Sequence, residues 1–325
     1  MKPFDETVRD RIANKYNAWQ NPKAGTPSER SAESRFGKDF FFVESTPTFK
    51  IARDSRVYTI GSCFARNVEQ FLVREGVDVP TTQIKIDPEV YVSRPRFANT
   101  ILNKYNPNSM AAEILRGIGD LEYPDRGIIA LSPENYFDPQ ASHTGLMSRS
   151  QVDRVRDELD RASKVIHDCK VFLFTLGLTE TWFDRDTGIA FNQINPGLMR
   201  PIRDRLGFKN VNVYETVETL SHAFSRLKEC VPDAKVVITV SPVPLLNTFT
   251  SHDVVMANTY SKATLRCAAQ MLAELHDYVD YFPSYEMVAN SNRAFSWEKD
   301  QAHVSDAVVA KVIEAFLARY LDTGE

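Results

Sequence analysis

Apolar residues along the chain follow two rhythms. Short apolar runs, Val57-Tyr-Thr-Ile60, Lys170-Val-Phe-Leu-Phe-Thr-Leu176 and Lys235-Val-Val-Ile-Thr-Val-Ser241, are rich in β-branched and aromatic residues, the first without charge and the other two with a single lysine at their start. Such runs mark strands covered on both faces of a parallel sheet. Between them the apolar positions fall at helical spacing, as in Phe64, Val68, Phe71 and Leu72 before Gly76. The same spacing predicts helices near Ser109 to Arg116, Gln151 to His167, Tyr214 to Cys230, Met256 to His276 and Ser305 to Tyr320. Val77 to Val79 and Val279 to Phe282 read as shorter strands, Gly177 ends the second long run, and Pro242 and Pro244 stop the third.

Strands alternating with helices predict an α/β fold with a mostly parallel five-stranded sheet in flavodoxin-like order, helices on both faces and a large insertion. Residues 1 to 50 are polar and punctuated by Asn21-Pro and Gly25-Thr-Pro, so they read as an N-terminal arm anchored by Phe40, Phe41, Phe42 and Phe49. Residues 51 to 325 form the domain proper. Within it, about 81 to 150 is long and irregular enough to be a functional loop or lid. No internal repeat or low-complexity segment is visible.

With 325 residues the chain can bury a large core, and a net charge of -4 gives no reason to expect nucleic acid as a partner. No apolar run approaches the roughly 20 residues of a membrane span, and the first residues lack a signal peptide's apolar core, so a cytoplasmic location is expected. Cys63, Cys169, Cys230 and Cys267 show no metal-type pairing and read as free thiols, with neither structural zinc nor any cofactor expected.

Parallel strands put their carboxyl ends on one edge, where ligands bind in open α/β sheets. Four groups follow strands there or precede the last helix: Gly61-Ser62-Cys63, Gly177-Leu-Thr-Glu180, Ser241-Pro-Val-Pro244, and Trp297 to His303. Ser62 stands between a strand and a helix start, with free amides and a favourable dipole for anionic oxygens. A serine hydroxyl needs a base, and His303 is the candidate, its tautomer fixed by Asp300 three residues earlier. The oxyanion needs at least two donors: the Ser62 amide, and one of the Gly177 amide, the Thr179 hydroxyl or the Asn106 side chain.

These residues resemble the GSCFA domain family, which belongs with the SGNH or GDSL-like hydrolases. Gly61-Ser-Cys-Phe-Ala65 spells its signature. Tyr105-Asn-Pro-Asn-Ser109, Thr175 to Glu180, Thr239 to Pro244, Ser261-Lys262 and Tyr281 to Glu286 are similar to further stretches of the family. The resemblance implies a flavodoxin-like three-layer α/β/α sandwich and esterase, lipase or carbohydrate acyltransferase activity, with the serine nucleophile on Ser62 and the Asp-x-x-His block on Asp300 and His303. Two positions depart from the SGNH pattern. The third block, usually Gly-x-Asn-Asp, reads Gly177-Leu178-Thr179-Glu180, so a hydroxyl replaces an amide. The second block's glycine donor has no clear match, and Asn106 is the substitute considered.

Each residue also has a plainer reading. Ser62 is a good helix N-cap. Cys63, at a helix N-terminus where a thiol's pKa is lowered, is either a second nucleophile or a packing residue. His303 and Asp300 are otherwise a pair at a helix start, His143 a surface-loop histidine or a group at the mouth of the site, and Glu180 a structural carboxylate or a substrate contact. Trp182 and Phe183 read as core or pocket wall. The favoured expectation is an esterase acting through an acyl-enzyme on Ser62, with a small-molecule or carbohydrate O-acyl ester as substrate. Acyl transfer from acyl-CoA to a carbohydrate, and a silent module binding a glycan or protein, are the alternatives.

Overall fold

The computed structural model describes residues 1–21, 28–36 and 38–322. Its centre is a parallel sheet of four strands, β1 (Val57–Gly61), β4 (Val171–Leu176), β8 (Lys235–Val240) and β9 (Val279–Tyr281), hydrogen-bonded in the order β1-β4-β8-β9. The expected fifth strand is not formed. Val77 to Val79 supplies only one parallel bridge, between Arg56 and Asp78, with the Val57 amide donating to the Asp78 carbonyl at 2.9 Å. With Gly76 on one side and Pro80 on the other, that segment is too short to extend the ladder.

Uncharged strand runs do become interior strands: every residue of β1 and β4 is buried. Their side chains alternate between two cores, as the period of two requires. Tyr58, Ile60, Phe172, Phe174 and Leu176 pack with Met110, Leu220, Phe224, Leu265 and Leu272. These come from α4 (Pro107–Gly117), α6 (Val213–Cys230) and α7 (Val254–Leu275). Val57, Val171 and Leu173 join Phe64, Leu72, Met287, Val312 and Phe316. These belong to α3 (Cys63–Arg74), α8 (Ser284–Asn290) and α10 (Asp306–Tyr320). Each fully buried large side chain contributes about 1.5–3 kcal/mol.

Near the amino end, α1 (Phe4–Ala13) buries no residue and α2 (Ala32–Phe36) is one short turn. The phenylalanines that follow meet the core: Phe41 is buried, and Phe40, Phe42 and Phe49 pack against it. Asp280 accepts the Thr48 amide and hydroxyl, both at 2.8 Å. The insertion carries the paired two-residue strands β2 (Ile129–Ala130) and β3 (Tyr136–Phe137), then α5 (Arg149–Lys164) behind a Ser148 capping box.

Sequence reading also misses a second sheet, in which β5 (Glu180–Asp184) lies antiparallel between β6 (Ala190–Phe191) and β7 (Leu206–Asn210). Its strands carry charges and a glycine, so they lack the unbroken apolar run that announces a buried strand. After β9, α8 and α9 (Arg293–Ser296) lead into α10. The far end of α10 returns beside the start of β1, where the Ile51 amide meets the Tyr320 carbonyl at 2.6 Å.

Candidate functional site

Gly61 ends β1 beside Thr175 of β4, and a Cβ on Gly61 would lie 2.7 Å from the Thr175 Cβ. Glycine is required by that approach. It delivers Ser62 to the N-cap of α3 in an extended conformation, yet the hydroxyl caps nothing: Ser62 is 4% exposed and its Oγ has no hydrogen-bond partner among the described residues. Ser45, Ser109 and Thr144 also bury partner-free hydroxyls, and only that of Ser62 stands at the strand-to-helix turn after β1.

Gly177 has the corresponding role on the neighbouring strand, two residues beyond Thr175. A Cβ there would meet the Tyr105 carbonyl oxygen at 2.7 Å. The Leu178 amide donates to that same carbonyl at 2.7 Å, while the Lys104 amide donates to Gly61 O at 2.9 Å, so residues 104–105 bridge the two strand ends. Neither the Ser62 amide nor the Gly177 amide donates a hydrogen bond within the described chain. Adjacent strands lie about 4.8 Å apart. These two free N–H groups therefore follow the carboxyl ends of adjacent strands.

The other donors considered are occupied. Thr179 is fully buried and its hydroxyl donates to Asn210 Oδ1 at 2.6 Å. Asn106 caps α4 by accepting the Ser109 amide at 2.8 Å, and its Nδ2 donates to the Phe191 carbonyl at 2.9 Å. Glu180 accepts from the Thr248 hydroxyl at 2.5 Å and the Phe249 amide at 2.8 Å, fastening the loop after β8. Trp182 lies against Phe208 and Phe249 as a wall of that loop.

Asp300 and His303 meet. Asp300 Oδ2 lies 2.5 Å from His303 Nδ1, and Oδ1 accepts the Ala302 and His303 amides, both at 3.0 Å. Those amides and the imidazole hold the Asp300 carboxyl well below the usual carboxylate range. The turn is tied by the Trp297–Val304 bridge and by Arg293 donating to Gln301 Oε1 at 2.6 Å. Gln301 takes a positive φ of 59°, a conformation that concentrates at functional turns. The pair is exposed, with side-chain exposures of 62% for His303 and 51% for Asp300. No hydrogen bond joins His303 to Ser62; the orphan Oγ excludes one. Leu321, just after α10, bridges to Ile51 ahead of β1. Phe64 in the first turn of α3 and Val308 in the first turn of α10 lie in one core cluster.

Cys63 departs from expectation. Its side chain reaches the surface, yet desolvation by the surrounding protein outweighs the pull of the Cys63 and Phe64 amides, and the thiol is pushed up rather than down. A helix N-terminus is thus not enough to make a thiolate here. His143, on a positive φ of 61°, places its Nε2 3.0 Å from the Tyr105 hydroxyl and is half-buried, which pulls its pKa down. It is neither a plain surface histidine nor in contact with Ser62.

The sequence matches the model of the GSCFA family over residues 56–316. The chain belongs to the GSCFA family. No curated protein matches it. Among solved structures it is similar to a point mutant of an acetyl-xylooligosaccharide esterase, Axe2, from Geobacillus Stearmophilus, at 14% identity and a TM-score of 0.33, covering 83% of this chain and 96% of that one.

In this GSCFA chain, sequence reading leaves two buried ionic groups without a place. Arg66 pairs with Glu69 at 2.7 Å, and Glu69 accepts the Thr81 hydroxyl and the Asn99 amide, both at 2.6 Å. Lys104 pairs with Glu113 at 2.7 Å, which also accepts from Tyr58 at 2.7 Å. Both clusters fasten the insertion to β1, so residues 99–106 belong to the wall behind Ser62. Another buried cation, Lys262, holds the Gly177 carbonyl at 2.7 Å. A signal for it exists in the sequence: Lys262 lies in register with the buried stripe Leu265, Ala269 and Leu272 of α7. No helix of the described residues is long and apolar enough to cross a membrane.

Proposed function

We propose that this GSCFA protein is a serine esterase of the SGNH kind, cleaving O-acyl esters through an acyl-enzyme on Ser62. The observation that carries it is the orphan Ser62 hydroxyl, buried beside two partner-free amides at the sheet edge. Ser62 Oγ attacks the ester carbonyl and its proton passes to His303 Nε2, while Asp300 holds Nδ1 and stabilises the imidazolium. The negative oxygen of the tetrahedral intermediate accepts from the Ser62 and Gly177 amides. Collapse returns the proton to the departing alcohol, and water, deprotonated by His303, releases the acid. His303 closes onto Ser62 when substrate bridges them; catalytic hydrogen bonds commonly tighten only in the Michaelis complex. With Thr179 and Asn106 occupied, the departure at the third SGNH block moves the second oxyanion donor to the Gly177 backbone.

Water is the acceptor in this reading because the dyad is exposed, and acyl transfer requires water to be kept out. The sandwich architecture and an acylated carbohydrate as substrate follow from the SGNH likeness; the Asn99 and Asn106 side chains give the sugar no added support, since both are engaged within the chain. Turnover of p-nitrophenyl acetate, lost in Ser62→Ala and His303→Ala and retained in Cys63→Ala, is the expected result. A wild type inert on acyl esters, with or without a sugar acceptor and acetyl-CoA, would favour the silent binding module. Acetyl transfer to the sugar without free acetate would favour the transferase.

A further inference from the structure

Two consecutive side chains of α7 grip the turn that follows β4. Lys262 Nζ donates to the Gly177 carbonyl at 2.7 Å, and Ser261 Oγ accepts the Thr179 amide at 3.1 Å. The turn's other backbone groups are also engaged: the Leu176 carbonyl accepts the Ser241 amide at 2.7 Å and the Leu178 amide meets Tyr105 O at 2.7 Å. From Leu176 O to Thr179 N, the one backbone donor left without an acceptor among the described residues is the Gly177 N–H. The turn is thus held through the Leu176 and Gly177 carbonyls and the Leu178 and Thr179 amides, and the Gly177 N–H is left free.

We infer that Lys262, supported by Ser261, is a positioning residue for the oxyanion donor at Gly177, fixing that peptide's orientation through its carbonyl. The inference rests on the esterase reading above. Lys262 is 1% exposed and its amine donates to the Gly177 carbonyl, with no carboxylate within ion-pair distance among the described residues. Desolvation lowers its pKa to about 7, so burial of this amine opposes folding wherever it is charged. An apolar side chain of similar length would fill the space without that cost, but it would leave the Gly177 carbonyl buried and unpaired and the turn free to rotate. Charged or neutral, the amine donates to the same oxygen.

The test compares Lys262→Met, Lys262→Gln and Ser261→Ala by p-nitrophenyl acetate kinetics and by inhibition with phenylboronic acid, whose adduct with Ser62 puts a boron-bound oxygen at the oxyanion position. Lys262→Met is expected to lower kcat about 10- to 100-fold, with KM changed less than about threefold and boronic-acid affinity falling in step with kcat. Lys262→Gln, which keeps a donor, recovers some of the loss. A wild-type kcat and boronic-acid affinity in Lys262→Met overturns the inference and leaves the amine as packing. If Lys262→Met does not fold by circular dichroism, unchanged kcat in both Lys262→Gln and Ser261→Ala overturns it instead. Failure of the esterase reading looks different: the wild type itself would neither turn over ester nor bind the boronic acid.

Discussion

The two ends of the candidate site are built in opposite ways. Around Ser62 the chain is buried and constrained from several sides: Gly61 sits against Thr175, Lys104 against Gly61 O, and the Arg66–Glu69 pair one turn along α3. Around His303 the side chains face solvent and are held by one short turn of their own. In the proposed mechanism the alignment of Ser62 and the two amides is thus a property of the folded core, whereas the placement of His303 is a property of a loop. Substitutions that disturb the packing around Ser62 should touch stability as well as activity, and those at His303 activity alone.

The largest effect belongs to Ser62→Ala, expected to reduce ester turnover by at least about 10³-fold. Because the hydroxyl makes no cap hydrogen bond, denaturant unfolding should show stability changed by less than about 0.5 kcal/mol, against about 1 kcal/mol for a working cap. Next, His303→Ala should lower kcat about 10²- to 10⁴-fold with an unaltered melting temperature, since the ring is exposed. Asp300 stays ionised far into acid, so the acid limb of the kcat/KM profile should fall with the slope of a single ionisation. Gly177→Ala crosses to the buried end: its Cβ would meet Tyr105 O at 2.7 Å, and urea titration should show about 1–3 kcal/mol of lost stability together with lost activity.

Lys262 gives a signed effect on stability. Its folded pKa of about 7 lies below the ordinary 10.5, so between those values the unfolded chain binds the extra proton. Stability of the wild type relative to Lys262→Met should rise from about pH 7 toward 10.5, at up to about 1.4 kcal/mol per pH unit, and flatten below pH 7. A flat difference would place the amine in a wetter environment. Smallest of all, Cys63→Ala should leave kcat within about threefold, the thiol being pushed toward its neutral form.

The features legible in the sequence share a physical cause. Strands β1, β4 and β8 announce themselves because the buried stretch of such a strand admits no charge, the one lysine of β8 standing at its half-buried first position, and the Asp300–His303 pair because a separation of three residues lets the two side chains meet in one turn. The second sheet stays hidden because Glu180, Asp184, Gly207 and Lys209 break its pattern. Thr179 and Asn106 read as oxyanion donors in the sequence, but a hydroxyl or amide in a turn has many local partners, and only the fold shows which it takes. Lys262 is visible as a stretch and opaque as a contact, since nothing in α7 reveals that its amine meets the carbonyl 85 residues earlier.

The most direct measurement is peptide mapping by mass spectrometry after treatment with a fluorophosphonate, which marks an activated serine. The account predicts one adduct, on Ser62, formed in the wild type and lost in His303→Ala. An adduct on Cys63, or labelling of Ser62 at an undiminished rate without His303, would contradict it.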